Sequence, residues 1–410
     1  MKKYFFWKTN KKGIHPLDES LKTFKKRDSK WPVFFPSNNS FLLFKNKNDY
    51  IVEKLTGATV VNRFPLIIGF SISSKKLSKR HVNKTEIIKK LVTNKKFSIN
   101  LIEHKNINKF ITKNSFYNNI HIDKLNVEKN FDCINFAYQS IECKFLKKIK
   151  IYSHTLILAE INKITINKKD IKKKYLLWKP LPEINKKILF TLKKNTKIDY
   201  MKRFTNNYRY NFLNNSDHYL KSRQNKNFIS YKIKKFKLSE QIKLTNNQAK
   251  WPIFFPSSLG IIGSSKNTKP NFMPCGSTFV VSRFPMTIGI AISHSKINER
   301  YRFRNTLNNI IKNKKFTVGV PFNNTNLIKW INFMGNITSV DYPKKMNFIN
   351  FNYKKNNYGP YLNEIPITLM CESVKKIKMK THTLIIGKIK KYFISKENFL
   401  FKWTPFANLK

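Results

Sequence analysis

The chain repeats itself, and this constrains its fold more than anything else in the sequence. WPVFFPS at Trp31–Ser37 returns as WPIFFPS at Trp251–Ser257, and VVNRFPLIIGFSIS at Val60–Ser73 returns as VVSRFPMTIGIAIS at Val280–Ser293. LSKRHVNK, ending at Lys84, aligns with INERYRFR, ending at Arg304, which sets Arg80 against Arg300. NKKFSINL from Asn94 meets NKKFTVGV from Asn313, one residue out of step. Further on, KKIKIYSHTLIL (Lys147–Leu158) matches KKIKMKTHTLII (Lys375–Ile386), pairing Cys143 with Cys371 and His154 with His382. A biased composition produces stray Lys and Ile matches. It does not produce Trp-Pro, Arg-Phe-Pro and His-Thr-Leu in one order and register, so one ancestral domain copied in tandem is expected.

The repeat sets the expected boundaries: an N-terminal extension (1–30), copy one (31–182), a basic linker (183–249) and copy two (250–410). A chain of 410 residues suits two cores of ordinary size. Within each copy the patterning is strand-dominated. FPLIIGFSIS and FPMTIGIAIS are near-continuous runs of β-forming residues, as in a buried strand. TEIIKKLVTNKK and NTLNNIIKNKK space their apolar residues helically and predict one amphipathic helix each. HTLILAEINKITI and HTLIIGKIKKYFI alternate like half-buried strands closing a long hairpin. WPVFFP and WPIFFP, with Pro at both ends, suit a strand at a sheet edge. In the linker, ILFTL at Ile188 is the one stretch with strand character. The fold class is therefore mixed and β-rich (α+β): closed or partly closed sheets, each carrying one or two helices.

The formal net charge of +59 invites a nucleic-acid reading, because clustered cations neutralise phosphates. Only 10 of the 81 basic residues are Arg, however, and Lys is spread along the whole chain beside much Asn, Ile and Phe. Surfaces that grip phosphate and base edges favour the bidentate Arg fork. The charge is better explained by the amino acids of AT-rich codons, with weak, non-specific polyanion binding as its consequence. The four cysteines form no CxxC pair and have no His at metal spacing, so neither a metal site nor a disulfide framework is indicated. The apolar stretch after the basic start is too short for a signal peptide, and no segment has the length of a membrane helix. A cytoplasmic protein without a membrane partner is expected.

Taken in order, NFMPCGSTFVVSRFPMTIGIAIS, the basic loop reaching Arg304 and Thr306, NTLNNIIKNKKFTVGVP, WINFMGNITSVDYPKK, IPITLMCESV and THTLIIGKI resemble the flavin reductase-like FMN-binding split barrel. The resemblance covers nearly all of copy two and, more weakly, copy one. It implies two tandem split β-barrels forming an intramolecular pseudo-dimer, since such barrels pair and build their flavin sites across the seam. It implies FMN as cofactor, NADH or NADPH as co-substrate, and hydride transfer from reduced nicotinamide to flavin.

The resemblance also implies that Cys275, Gly276, Ser277, Thr278, Arg283, Ser293, Arg300, Arg304, Thr306 and His382 hold the cofactor, with Arg300, Arg304 and Thr306 at the phosphate near a helix start. No catalytic side chain is singled out, because in this family the flavin is the reactive centre. Read from the residues alone, Arg300, Arg304 and Thr306 are equally a solvated basic loop, Cys275 a small buried residue, His294 and His382 hydrogen-bonded structural residues, and Arg63 and Arg283 partners that close the barrels. Copy one has Thr56 and Gly57 where copy two has Gly276 and Ser277, and Ala159 where copy two has Gly387, so copy two is the expected flavin site. A non-catalytic flavin-binding or structural module and a basic RNA- or ribosome-associated protein are the alternative functions.

Overall fold

In a computed structural model the described residues are 4–8, 40–75, 84–102, 127–168, 191–192, 219–233, 259–294, 303–320, 330–335 and 349–395, with breaks of at most three residues inside these ranges. The WPVFFP and WPIFFP segments and Arg80 and Arg300 lie outside them. The first half contains β1 (Tyr4–Lys8), β2 (Ser40–Asn46), β3 (Asp49–Leu55), β4 (Ala58–Asn62), β5 (Ile67–Ser73), α1 (Thr85–Asn94) and β6 (Lys96–Leu101). It continues through β7 (Val127–Glu128), β8 (Cys133–Ile134), β9 (Gln139–Ile151), β10 (His154–Asn167), β11 (Thr191–Leu192), β12 (Tyr219–Gln224) and β13 (Phe228–Ile233). The second half contains β14 (Gly260–Lys266), β15 (Lys269–Cys275), β16 (Thr278–Arg283), β17 (Met286–Ser293), α2 (Asn305–Asn313) and β18 (Lys315–Val320). It ends with β19 (Ile349–Asn350), β20 (Tyr353–Asn356), β21 (Gly359–Leu362), β22 (Ile367–Lys378) and β23 (His382–Ser395).

The two large sheets have the same antiparallel wiring. In the first, the neighbours run β3-β2-β6-β9-β10-β5-β4; in the second they run β15-β14-β18-β22-β23-β17-β16. Turns agree to the atom: Lys84 N–H bonds Ser73 O at 3.0 Å where Arg304 N–H bonds Ser293 O at 3.3 Å. Both helices end on a left-handed lysine, Lys95 (φ 58°) and Lys314 (φ 55°), whose N–H returns to the last turn. The helices fall where the spacing of Ile and Leu puts them, burying Ile88 and Leu91 in α1 and Leu307 and Ile310 in α2. Each sheet wraps its own core: Leu42, Ile68, Phe70, Ile99 and Ile157 in the first, Ile262, Ile288, Phe316, Val318 and Ile385 in the second.

The two closing strands are longer than one neighbour can cover. Beyond β5, the outer edge of β10 is taken by β13, and beyond β17 the same edge of β23 is taken by β1. The stretch expected to be a connector therefore supplies a hairpin, β12–β13, to the first sheet, and the N-terminal extension supplies a strand to the second. Within the ILFTL stretch, Thr191–Leu192 form β11, which pairs with β19 of the second half.

The halves meet through a shared apolar layer. Val61, Ile67, Ile149, Ile151, Leu156 and Leu158 from the first pack with Phe279, Val281, Ala291, Leu384 and Ile386 from the second. Both sheets are thus buried on two faces along β5, β10, β17 and β23, which explains why these strands read as near-continuous apolar runs rather than strict alternation.

Candidate functional site

Beside this apolar layer the seam becomes polar, and there most of the anticipated residues of the second half converge. The β15–β16 turn is closed by Thr278 Oγ1, which donates to Cys275 O at 2.8 Å, and by Ala291 N–H, which donates to Ser277 O at 3.0 Å. Ser277 Oγ reaches across the seam to Val60 O at 2.6 Å. A Cβ at Gly276 would meet nothing within 4 Å, so the backbone here borders open space. Cys275 is buried in the second core, its thiol donating to Ala291 O at 3.4 Å, and burial pushes its ionisation upward.

Ser293 ends β17 opposite His382, the first residue of β23. His294 follows, its backbone N–H on Thr381 O at 3.1 Å and its Nδ1 2.9 Å from Thr383 Oγ1. His382 is 7% exposed. Its protonation is pushed well below the ordinary imidazole value, first by burial, then by the nearby charges of Arg63, His294 and Arg304. Arg304 stands at the N-cap of α2 and donates from Nη2 to Gly335 O at 3.1 Å. Arg63 comes from the first half, and its backbone N–H donates to Thr381 Oγ1 at 3.3 Å. Arginines from both halves thus disfavour a charged His382 ring.

Thr306, in the first turn of α2, is turned toward the sheet. It is 2% exposed and its hydroxyl accepts from Asn271 Nδ2 at 2.8 Å, inside a buried polar set that ties Asn271 and Asn309 to Ser264 Oγ. Its described contacts therefore seat α2 on the sheet. Gly387, offered by the sequence as a mark of the flavin site, belongs to the core instead: a Cβ there would lie 2.4 Å from Phe316 Cζ. Arg283 closes β16 opposite Met286, and its side chain and all of Arg300 lie outside the described residues.

Sequence reasoning passed over Asn62 and Glu53. Asn62 Oδ1 accepts from Thr381 N–H at 2.9 Å, Thr381 Oγ1 at 2.7 Å and His382 N–H at 3.1 Å. The signal was present, since Asn62 and Ser282 are the one difference between the matched VVNRFP and VVSRFP. Glu53, on β3, faces the α1 N-cap and forms an ion pair with Lys84, the counterpart of Arg304. In the second half the register puts Met273 at that place, opposite Ile262 as Glu53 is opposite Leu42. The two helix starts therefore have different neighbours on the adjoining strand, a carboxylate in the first half and a thioether in the second.

Among the described residues no group of three His, Cys, Asp or Glu could hold a metal, and no helix is long and apolar enough to cross a membrane. No curated protein matches the chain. Among solved structures it is similar to flavoredoxin from Methanosarcina acetivorans (22% identity, 38% of this chain and 75% of that one, TM-score 0.30). It is also similar to the FMN-binding protein from Thermus thermophilus (16%, 37% and 78%, 0.30) and to 2-nitrobenzoate 2-nitroreductase from Pseudomonas fluorescens (20%, 40% and 77%, 0.30). The family match includes the strands and helix that carry Cys275, Ser293, Arg304 and His382: residues 254–404 match the flavin reductase like domain.

Proposed function

We propose that the chain is a tandem duplication whose two barrels form an intramolecular pseudo-dimer, and that it binds one FMN at the second-half seat, as a flavin reductase taking hydride from NADH or NADPH. The observation that carries the reading is the polar seam within the stretch that matches the flavin family, where Arg304 stands at the α2 N-cap, Ser277 Oγ crosses to Val60 O and first-half Asn62 holds the backbone of Thr381 and His382. The shared sheet wiring and the common apolar layer support the duplication and the pairing of the halves.

The residues fit the cofactor. Two Arg side chains and the α2 N-terminus match a phosphate, and the open flank of Gly276 lets backbone approach a flat ring. Bound FMN would supply the hydride-accepting centre, which no side chain here provides. Arg304, with Thr306 and with Arg300 earlier in the sequence, would hold the phosphate; Arg63 and Arg304 would favour negative charge gathering near His382. Ser277, anchored on Val60 O, fixes the turn against the opposite half, so that this wall of the seat is set by both barrels. The apolar layer next to it keeps water from one side.

Titration of the purified chain with FMN tests this. About one equivalent is expected. Charge-assisted hydrogen bonds contribute about 1.5–3 kcal/mol each, so Arg304→Ala should weaken binding about tenfold or more, while Lys84→Ala should change it little. Oxidation of NADH or NADPH by the loaded protein tests the reductase step. No FMN binding by the parent chain removes the proposal, and equal losses in both variants would make the two seats equivalent.

A further inference from the structure

The side-chain amide of Asn62 is held at both ends. Its Nδ2 donates to Pro65 O at 2.7 Å, while Oδ1 receives the backbone N–H groups of Thr381 and His382 at 2.9 and 3.1 Å. Flipping the amide would press NH2 against two N–H donors and C=O against a carbonyl, so its orientation is fixed by its surroundings. Oδ1 has no proton to give. The Thr381 hydroxyl, 2.7 Å away, must therefore donate to it, which leaves only lone pairs on Thr381 Oγ1. Arg63 N–H uses one of them at 3.3 Å. His382 Nδ1 lies 2.8 Å from the same oxygen and so has to bring the proton itself.

From this chain of contacts we infer that Asn62, a first-half residue, is a positioning residue that fixes second-half His382 as the Nδ1–H tautomer, so that Nε2 presents a lone pair to an N–H donor of the ligand. The ring is neutral because it is buried among positive groups. The ligand class is a flat heterocycle or amide with an N–H edge, which both the imide of an isoalloxazine and the carboxamide of a nicotinamide offer. That last clause rests on the flavin reading; the tautomer does not.

The equivalent chain in the other direction is built from different groups. Ser282 stands in place of Asn62 and Ser153 in place of Thr381, and the two hydroxyls meet at 2.9 Å with either able to donate. Ser153 Oγ is again 2.8 Å from the following imidazole, His154 Nδ1, yet nothing in that contact dictates which partner holds the proton. Where the first half offers the amide oxygen of Asn62, which can only accept, the second offers the Ser282 hydroxyl, which can donate or accept.

The test is 15N NMR of the full chain labelled at histidine, with the His382 signals assigned by their loss in His382→Gln. At pH 7 the expected pattern is a protonated Nδ1 and an unprotonated Nε2. Asn62→Leu frees the Thr381 proton and should shift His382 toward the Nε2–H form; Asn62→Asp, which keeps an acceptor, should restore the parent pattern. An Nε2–H or doubly protonated ring in the parent overturns the inference, as does an unchanged spectrum in Asn62→Leu. If Asn62→Leu does not fold, the parent spectrum decides alone. Added FMN or NADH should move the Nε2 resonance. Binding without that movement overturns the ligand half only, and absence of any FMN binding overturns the flavin reading together with that half while the spectrum still decides the tautomer.

Discussion

Replacing Lys84 by Met should destabilise the protein in a strongly pH-dependent way. Glu53 has a side chain 11% exposed and its partner Lys84 one that is 32% exposed, so removal of the lysine leaves a carboxylate with little water and no counter-charge. Burial already holds the Glu53 carboxyl above the ordinary range, against the opposing pull of Lys84. Without the lysine, the easiest escape is protonation. At pH 7 that costs at most about 3.4 kcal/mol, since pH 7 lies about 2.5 pH units above the ordinary glutamate value of 4.5 and each unit is worth about 1.36 kcal/mol. Part of this penalty is already present in the parent, so a loss of about 2 kcal/mol is expected, or roughly 4–8 °C in the melting temperature.

The direction with pH follows from linkage. A carboxyl whose folded-state value is raised binds its proton more tightly in the folded than in the unfolded chain, so stability falls as pH rises from about 4.5 through the folded value. Removing Lys84 moves the upper end of that window upward. Parent and Lys84→Met should therefore unfold alike near pH 4.5 and separate progressively toward pH 7, measured by thermal or denaturant unfolding across that range. The double variant Glu53→Met/Lys84→Met, which copies Met273 at the first position, should recover the loss, because apolar replacement of both members of a buried pair is often neutral or stabilising. A loss equal at both ends of the pH range, or no loss at all, would refute the reasoning.

Two other outcomes follow from close contacts. Gly387→Ala should destabilise the second barrel by about 1–3 kcal/mol, because the new Cβ would lie 2.4 Å from Phe316 Cζ and 3.3 Å from Cys371 Cβ; a thermal melt unchanged from the parent would contradict the packing. Ser277→Ala removes the 2.6 Å bond to Val60 O and leaves a buried carbonyl short of a donor, so unfolding should show a loss of about 1–3 kcal/mol, together with weaker FMN binding if the turn forms the wall of the seat.

Much of the architecture can be read from the repeat. Residues matched in register, such as Val60–Ser73 and Val280–Ser293, occupy corresponding strands of the two sheets, β4–β5 and β16–β17, because a shared apolar pattern buries the same faces. The helices over Thr85–Asn94 and Asn305–Asn313 follow from the helical spacing of their Ile and Leu. The hairpin at 219–233 and the strand at Tyr4–Lys8 were not legible, since each is polar or short and is held by an edge of a distant strand rather than by its own periodicity.

The candidate site divides in the same way. Arg304 and His382 could be named from their order in the chain, whereas the partners that set their chemistry could not. Asn62 acts on Thr381 across more than three hundred residues, Arg63 reaches the same place from the first half, and Glu53 meets Lys84 only because β3 passes the start of α1. A local pattern reports which face of a strand or helix is apolar. It does not report which polar group of another barrel lies within 3 Å, because that distance is fixed only when two separately specified cores close on one another, and here that closure makes a first-half asparagine a partner of a second-half histidine.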